Sequence, residues 1–151
     1  MSEETQLIFE SINTEEGFKE IFDYSIDVFS DSPDFQWTLD GIKQEVAEGW
    51  SLEAVKVGVE IIAAIFFKMD NKVLATKNTA LKATHQGSGY SHLIKEYLEQ
   101  KAKSLKAKTI LHYCGIDNFR MYSLNESHGY TKTQRRFGKS GHIVEWEKTL
   151  K

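Results

Sequence analysis

Gln86-Gly87-Ser88-Gly89-Tyr90-Ser91 lies between a predicted strand that ends near Lys82 and a predicted helix that opens near Tyr90. Two glycines directly ahead of a helix make a seat for a phosphate group. Glycine lets the backbone approach closely and take conformations that other residues avoid. The first helical turn adds N–H groups without intrahelical partners and the positive end of the helix dipole. A Gly-Ser-Gly turn also serves as a plain connection, so its meaning depends on what surrounds it.

Downstream, Tyr90, Leu93, Ile94, Tyr97, Leu98, Ala102 and Leu105 fall on one face at helical spacing, with lysines and glutamates opposite. That pattern predicts a long amphipathic helix. Thr109 to Cys114 (TILHYC) reads as a buried strand. Asp117 or Asn118 then caps a short helix that carries Met121 and Leu124, and Gly129 stands where a left-handed residue closes it. The chain ends in a predicted hairpin, Tyr130 to Arg136 and His142 to Lys148, turning at Gly138-Lys139-Ser140-Gly141.

Upstream, a strand from Val73 to about Lys82 follows a turn at Asp70-Asn71, and Ile61 to Phe67 (IIAAIFF) and the valine-rich 55–59 have the composition of buried strands. Before them, Gln6 to Ile12 forms a first strand. Residues 15–29 form a helix capped at Asn13 or Thr14, burying Phe18, Ile21, Phe22, Ser25, Ile26 and Phe29. Pro33, the only proline, stops it. A second helix follows Thr38, burying Leu39, Ile42 and Val46 and fading near Gly49-Trp50. The order is strand, two helices, three strands, helix, strand, helix, two strands. No repeat or linker interrupts it, and residues 1–151 read as a single domain.

Hydrophobic residues at 40% and charged residues at 27% are ordinary for a globular protein. The only cysteine, Cys114, excludes an internal disulfide framework and a cysteine-based zinc site, and no metal site is expected. The start, MSEETQLIF, lacks a basic region followed by an apolar core, and the longest apolar run is too short for a bilayer. A cytoplasmic protein without a membrane anchor is expected. The net charge of −3 conceals a polarity: residues 1–60 carry 15 acids and 3 bases, and residues 61–151 carry 7 acids and 16 bases. A basic half that holds a phosphate loop suits a polyanionic ligand, and an acidic half suits a cationic partner.

This order of elements and these motifs resemble the GNAT superfamily, the acyl-CoA-dependent N-acetyltransferases. The family's loop reads Gln/Arg-x-x-Gly-x-Gly/Ala, which Gln86 to Ser91 matches with serine last. Asp117-Asn118 and the run from Leu124 to Gly129-Tyr130 are similar to its second motif, which usually ends Gly-Phe. The resemblance implies an α/β (α+β) architecture, the GNAT acyl-CoA N-acyltransferase fold, with a mixed central sheet of about seven strands flanked by about four helices. It implies acetyl-CoA as co-substrate, its pyrophosphate bound by the backbone of Gln86, Gly87, Ser88, Gly89, Tyr90 and Ser91. The strand around Ala80 and Leu81 would part from the next strand at a bulge. Pantetheine would pair with its exposed edge, and an N–H near Leu81 would polarise the thioester carbonyl. Asn118 would hold the pantetheine arm. A primary amine would attack the thioester directly.

The sequence departs from the family at its acid and base. A tyrosine usually stands seven residues after the asparagine and protonates the leaving thiolate; here Asn125 stands there, able to donate a hydrogen bond but no proton. Tyr122, three residues back, is an alternative acid or a packing residue. The glutamates the family places on neighbouring strands are replaced by residues such as Lys77 and Tyr113. His112 is a candidate base by its ordinary pKa, or else a core histidine. His85 precedes the loop, facing solvent or phosphate. Cys114, with no His/Asp arrangement beside it, reads as a structural thiol.

Phe29, Phe35, Trp37 and Trp50 surround the two first helices, which in the family wall the acceptor site. Phe35 and Trp37, beside Asp31 and Asp34, are the candidates for contact with a cationic acceptor, a small-molecule or peptide amine. Arg135, Arg136 and Lys139 form a basic cluster on the terminal hairpin, either a solvated face or a contact for a phosphate-bearing acceptor. Nucleic acid is disfavoured without a basic, aromatic surface across the chain. The exposed edge of the hairpin offers a route to a homodimer. Three readings stand: an N-acetyltransferase, a CoA-binding regulatory module without catalysis, and a nucleic-acid-modifying acyltransferase.

Overall fold

The computed structural model describes residues 6–23, 38–81 and 89–150. Seven strands form one sheet: β1 (Leu7–Ser11), β2 (Ser51–Val57), β3 (Glu60–Asp70), β4 (Val73–Leu81), β5 (Thr109–Gly115), β6 (Thr131–Phe137) and β7 (Ile143–Thr149). Among the described residues four α-helices accompany them: α1 (Glu15–Asp23), α2 (Leu39–Ala47), α3 (Tyr90–Ser104) and α4 (Phe119–Ser127). The strand order is β1-β2-β3-β4-β5-β7-β6. Every pairing is antiparallel except β4 with β5. This is the mixed sheet of seven strands and four helices that the order of elements implied.

Strand β3 is the spine. Its neighbours β2 and β4 pair along both sides, and Ile61 to Phe66 are fully buried. Its side chains feed two cores. Ala64 and Phe66 join Phe18 and Ile21 of α1 and Ile42 of α2 on one face. Ala63, Ile65 and Phe67 join Ile94 and Leu98 of α3, with Ile110, Val144 and Trp146, on the other. Each of the large side chains contributes about 1.5–3 kcal/mol through burial, which explains an apolar run without alternation.

Local signals set most helix ends. Thr14 accepts a hydrogen bond from the Gly17 N–H at 3.0 Å, and Thr38 accepts one from Gly41 at 2.9 Å. Asn118 caps α4 by accepting from Met121 at 3.3 Å. Gly129 ends α4 with φ of 84°, the left-handed conformation that glycine adopts without a Cβ penalty. Several boundaries differ from the sequence reading, two of them with a plain cause. The β3–β4 turn is Asn71-Lys72, both at positive φ, because the ladder runs on to Asp70↔Val73. Strand β2 begins at Ser51 rather than Val55, because Leu52 and Ala54 reach the α1/α2 core. The continuation of the first helix through Ser25, Ile26 and Phe29 lies outside the described residues, as does the Pro33 loop. Among the described residues no helix is long and apolar enough to cross a membrane.

Candidate functional site

The pairing of β4 with β5 is short. It runs from Val73↔Thr109 to Thr76↔His112 and stops. Beyond that point β4 continues beside β3, through Ala64↔Ala80 and Ala63↔Leu81, while β5 continues beside β7 to Gly115↔Ile143. The sheet therefore parts in its middle. A bulge accompanies the parting: between Lys77 and Ala80, β4 sets Asn78 and Thr79 against Ile65 alone. An extra residue bends its strand and strengthens the local twist. From Lys77 to Leu81, one side of the β4 backbone has no strand laddered to it among the described residues.

Thr76 and His112 mark the apex on the face that carries α3. Both are buried. Thr76 has a single hydroxyl proton and donates it to the Leu111 carbonyl at 2.8 Å. The 2.9 Å bond to His112 Nδ1 therefore has the ring as donor. Burial, reinforced by Lys95, holds the His112 pKa well below its ordinary value, so the ring is neutral. His112 thus serves as a latch between the two strands where they separate.

Helix α4 covers β5 and β7 on this same face. Tyr122 lies edge-on to Trp146 at 5.2 Å, and Trp146 pairs with His112. The Tyr122 hydroxyl donates to the Ile116 carbonyl at 2.8 Å, and burial raises its pKa, so its proton is committed to the β5–α4 connection. Asn125, one turn later, is fully buried, and neither polar atom of its side-chain amide has a hydrogen-bond partner among the described residues. An unsatisfied buried amide costs about 1–3 kcal/mol.

Gly89 stands ahead of α3 with φ of 83°, and a Cβ there would meet none of the described residues within 4 Å. No acidic side chain occupies the first turn of α3, whereas Glu15 and Glu16 open α1 and Asp40 opens α2. Tyr90 and Ser91 begin this helix. The rest of the loop, Gln86, Gly87 and Ser88, lies outside the described residues, as do His85, Phe35 and Trp37. The backbone of Ala80 and Leu81 lies on β4 past the bulge, where the strands have separated.

The face that carries α1 and α2 holds groups that sequence reasoning missed. Lys77 forms an ion pair with Glu45 of α2 at 2.7 Å and lies 4.1 Å from the Trp50 ring centre. Tyr113 donates to Glu145 of β7 at 2.8 Å. Arg135, one of the three residues of the basic cluster, is turned toward Glu145 at 3.7 Å. Cys114 is buried in the α3-side core. Among the described residues no group of three or more His, Cys, Asp or Glu is arranged to hold a metal ion.

A seven-stranded mixed sheet that parts between the only parallel pair among its described strands, with a glycine-led helix connecting that pair, is the fold of the GNAT N-acetyltransferases. By sequence, no protein family description matches the chain, and no curated protein does. By structure, it is similar to the ribosomal-protein-S18-alanine N-acetyltransferase of Escherichia coli, with a TM-score of 0.75 at 14% identity over 95% of this chain and 94% of that one. It is similar to a Bacillus subtilis acetyltransferase in complex with CoA, with a TM-score of 0.70 at 20% identity over 96% and 99%. The GNAT domain of S. lividans PAT gives a TM-score of 0.70 at 16% identity over 94% and 89%.

Proposed function

We propose that this chain is an acyltransferase that moves an acetyl or related acyl group from acyl-CoA to a primary amine by direct attack. The observation that carries the proposal is the parting of β4 from β5. It leaves one side of the last stretch of β4 before α3 without a laddered strand, and the Asn125 amide, on the helix after β5, has no hydrogen-bond partner among the described residues. The similar Bacillus subtilis protein was solved with CoA, which supports acetyl-CoA as the co-substrate.

In this reading Gly89, Tyr90 and Ser91, with Gln86, Gly87 and Ser88, offer backbone N–H groups to the pyrophosphate. The backbone past the bulge, at Ala80 and Leu81, pairs with the pantetheine amides and directs an N–H at the thioester oxygen, where negative charge develops during attack. Asn118 holds the pantetheine arm from the start of α4. Asn125 donates to the departing sulfur. It has no proton to give up, so the thiolate leaves as an anion or takes its proton from the attacking nitrogen. Tyr122 and His112, engaged with Ile116 and Thr76, support the site's walls.

Acetyl-CoA incubated with a panel of primary amines, read as thiol release, tests the proposal. Release that depends on both substrates supports it, and no release with any amine contradicts it. A second reading, a module that holds CoA without catalysis, is favoured by Asn125 in the place of the usual tyrosine. Turnover excludes that reading.

A further inference from the structure

Direct attack on a thioester needs a neutral amine, and most aliphatic amines are protonated at neutral pH, with pKa values of about 10. A proton acceptor is therefore required on the face from which the amine arrives. His112 does not supply it: the ring lies on the α3 face, buried against Thr76.

Lys77 and Tyr113 are the first residues past the last β4–β5 pair, one on each strand. Alternation turns both away from Thr76 and His112, toward the face that carries α1 and α2. Lys77 is already paired with Glu45 and brings a proton rather than a vacancy for one. Tyr113 is different. Its register partner on β7 is Glu145, a carboxylate only 1% exposed, and the two are joined at 2.8 Å.

The surroundings of Glu145 are shaped around its carboxylate. Opposite this single residue, β6 spends three, Thr133, Gln134 and Arg135, between Lys132↔Trp146 and Arg136↔Val144. The irregularity turns Thr133 Oγ1 onto Glu145 Oε1 at 3.1 Å and Arg135 toward Oε2 at 3.7 Å. The Arg135 N–H in turn binds Thr133 Oγ1 at 3.1 Å, fixing the bend. Phe137 lies edge-on to the Tyr113 ring at 5.2 Å and limits its orientations. Bulges of this kind commonly re-aim side chains near functional sites.

We propose that Tyr113 meets the acceptor amine and passes its proton to Glu145, which positions the phenol and takes the proton up. This rests on the acyl transfer proposed above. The ammonium gives a proton to Tyr113 Oη while the Tyr113 hydroxyl proton moves to Glu145 Oε2. The phenol is neutral before and after, in keeping with its raised pKa, which follows from burial and the Glu145 hydrogen bond. The nitrogen lone pair then forms the C–N bond, the C–S bond breaks, and the second nitrogen proton goes to sulfur. Glu145 later releases the first proton to solvent, so the balance is one amide, one thiol and one proton. Among the described residues, the charged groups nearest the pair on this face are Arg135 beside Glu145, the Lys77–Glu45 pair across the parting, and Glu147 one pleat along β7, with Lys68 by Trp50 and Lys56 by Glu20 farther along the sheet.

The test compares wild type, Tyr113→Phe and Glu145→Gln with acetyl-CoA and a panel of lysine, 1,5-diaminopentane and an alanyl peptide, from pH 6 to 10. Loss of a general base lowers kcat/KM at pH 7 by about a hundredfold. The deficit is expected to shrink toward pH 10, because solution then supplies the free amine. Calorimetric affinity for acetyl-CoA is expected to match wild type in both variants. An equal deficit at every pH, or a lost affinity for acetyl-CoA, overturns the proposal by marking the pair as structural. If Glu145→Gln does not fold, Tyr113→Phe decides, since it leaves Glu145 bonded to Thr133 and facing Arg135. Wild type that acetylates no amine overturns the transferase reading and this one with it; active wild type with parallel profiles overturns this one alone.

Discussion

Thr76 and His112 close the parallel pairing of β4 and β5, their side chains joined at 2.9 Å at the last pair before the sheet parts. Replacing Thr76 by valine keeps the shape and removes the hydroxyl. The Leu111 carbonyl loses a donor and His112 Nδ1 loses an acceptor, both in the interior. An unsatisfied buried group costs about 1–3 kcal/mol. Urea unfolding is expected to show Thr76→Val destabilised by that amount, with an unchanged m-value.

The neutral His112 also makes stability depend on pH. Its folded-state pKa is lowered, so below the unfolded value near 6.5 the unfolded chain binds a proton that the folded chain refuses. Stability is therefore full above about pH 6.5 and falls as the pH drops from there toward the lowered folded pKa. His128, whose pKa is lowered chiefly by burial, acts in the same direction. His112→Gln is expected to reduce this slope between about pH 5 and 6.5 in denaturant titrations, leaving the remainder to His128.

Asn125 separates stability from function. Its amide is buried without a partner among the described residues, so Asn125→Leu replaces an unsatisfied polar group by an apolar one of similar shape. The free protein is expected to gain about 1–3 kcal/mol, seen as a higher melting temperature. Thiol release is expected to fall about ten- to hundredfold, the worth of a hydrogen bond to a charged group. A variant both more stable and fully active would remove Asn125 from the site.

The chain's elements were legible because each rests on local chemistry. Most of the α3 stripe (Tyr90, Ile94, Tyr97, Leu98 and Ala102), the caps at Thr14 and Asn118, and Gly129 are contained in a few neighbouring residues, whereas Leu93 and Leu105 of that stripe are exposed and Lys95 is buried. Of the predicted phosphate loop, Gly89, Tyr90 and Ser91 lie among the described residues and Gln86 to Ser88 do not. Pairing across the sheet was not legible. Thr76 and His112 are 36 residues apart, and Tyr113 and Glu145 are 32 apart. Within IVEWEKT, Glu145 reads as an outward-facing acid of a terminal strand, because alternation alone does not reveal that β6 bends around it. His112 drew attention for its ordinary pKa, and burial removes that property.

Calorimetric titration of acetyl-CoA into wild type and Gly89→Trp tests the central claim most directly. Gly89 at φ of 83° makes the substitution strained by about 1 kcal/mol, yet a Cβ there meets none of the described residues within 4 Å, so the fold is expected to survive, as a melting curve would show. The expected result is saturable binding by wild type that is lost in the folded variant, because an indole at the start of α3 occupies the approach to its first-turn N–H groups. Absence of binding to wild type, or equal binding by both proteins, would contradict the assignment of this site to acyl-CoA.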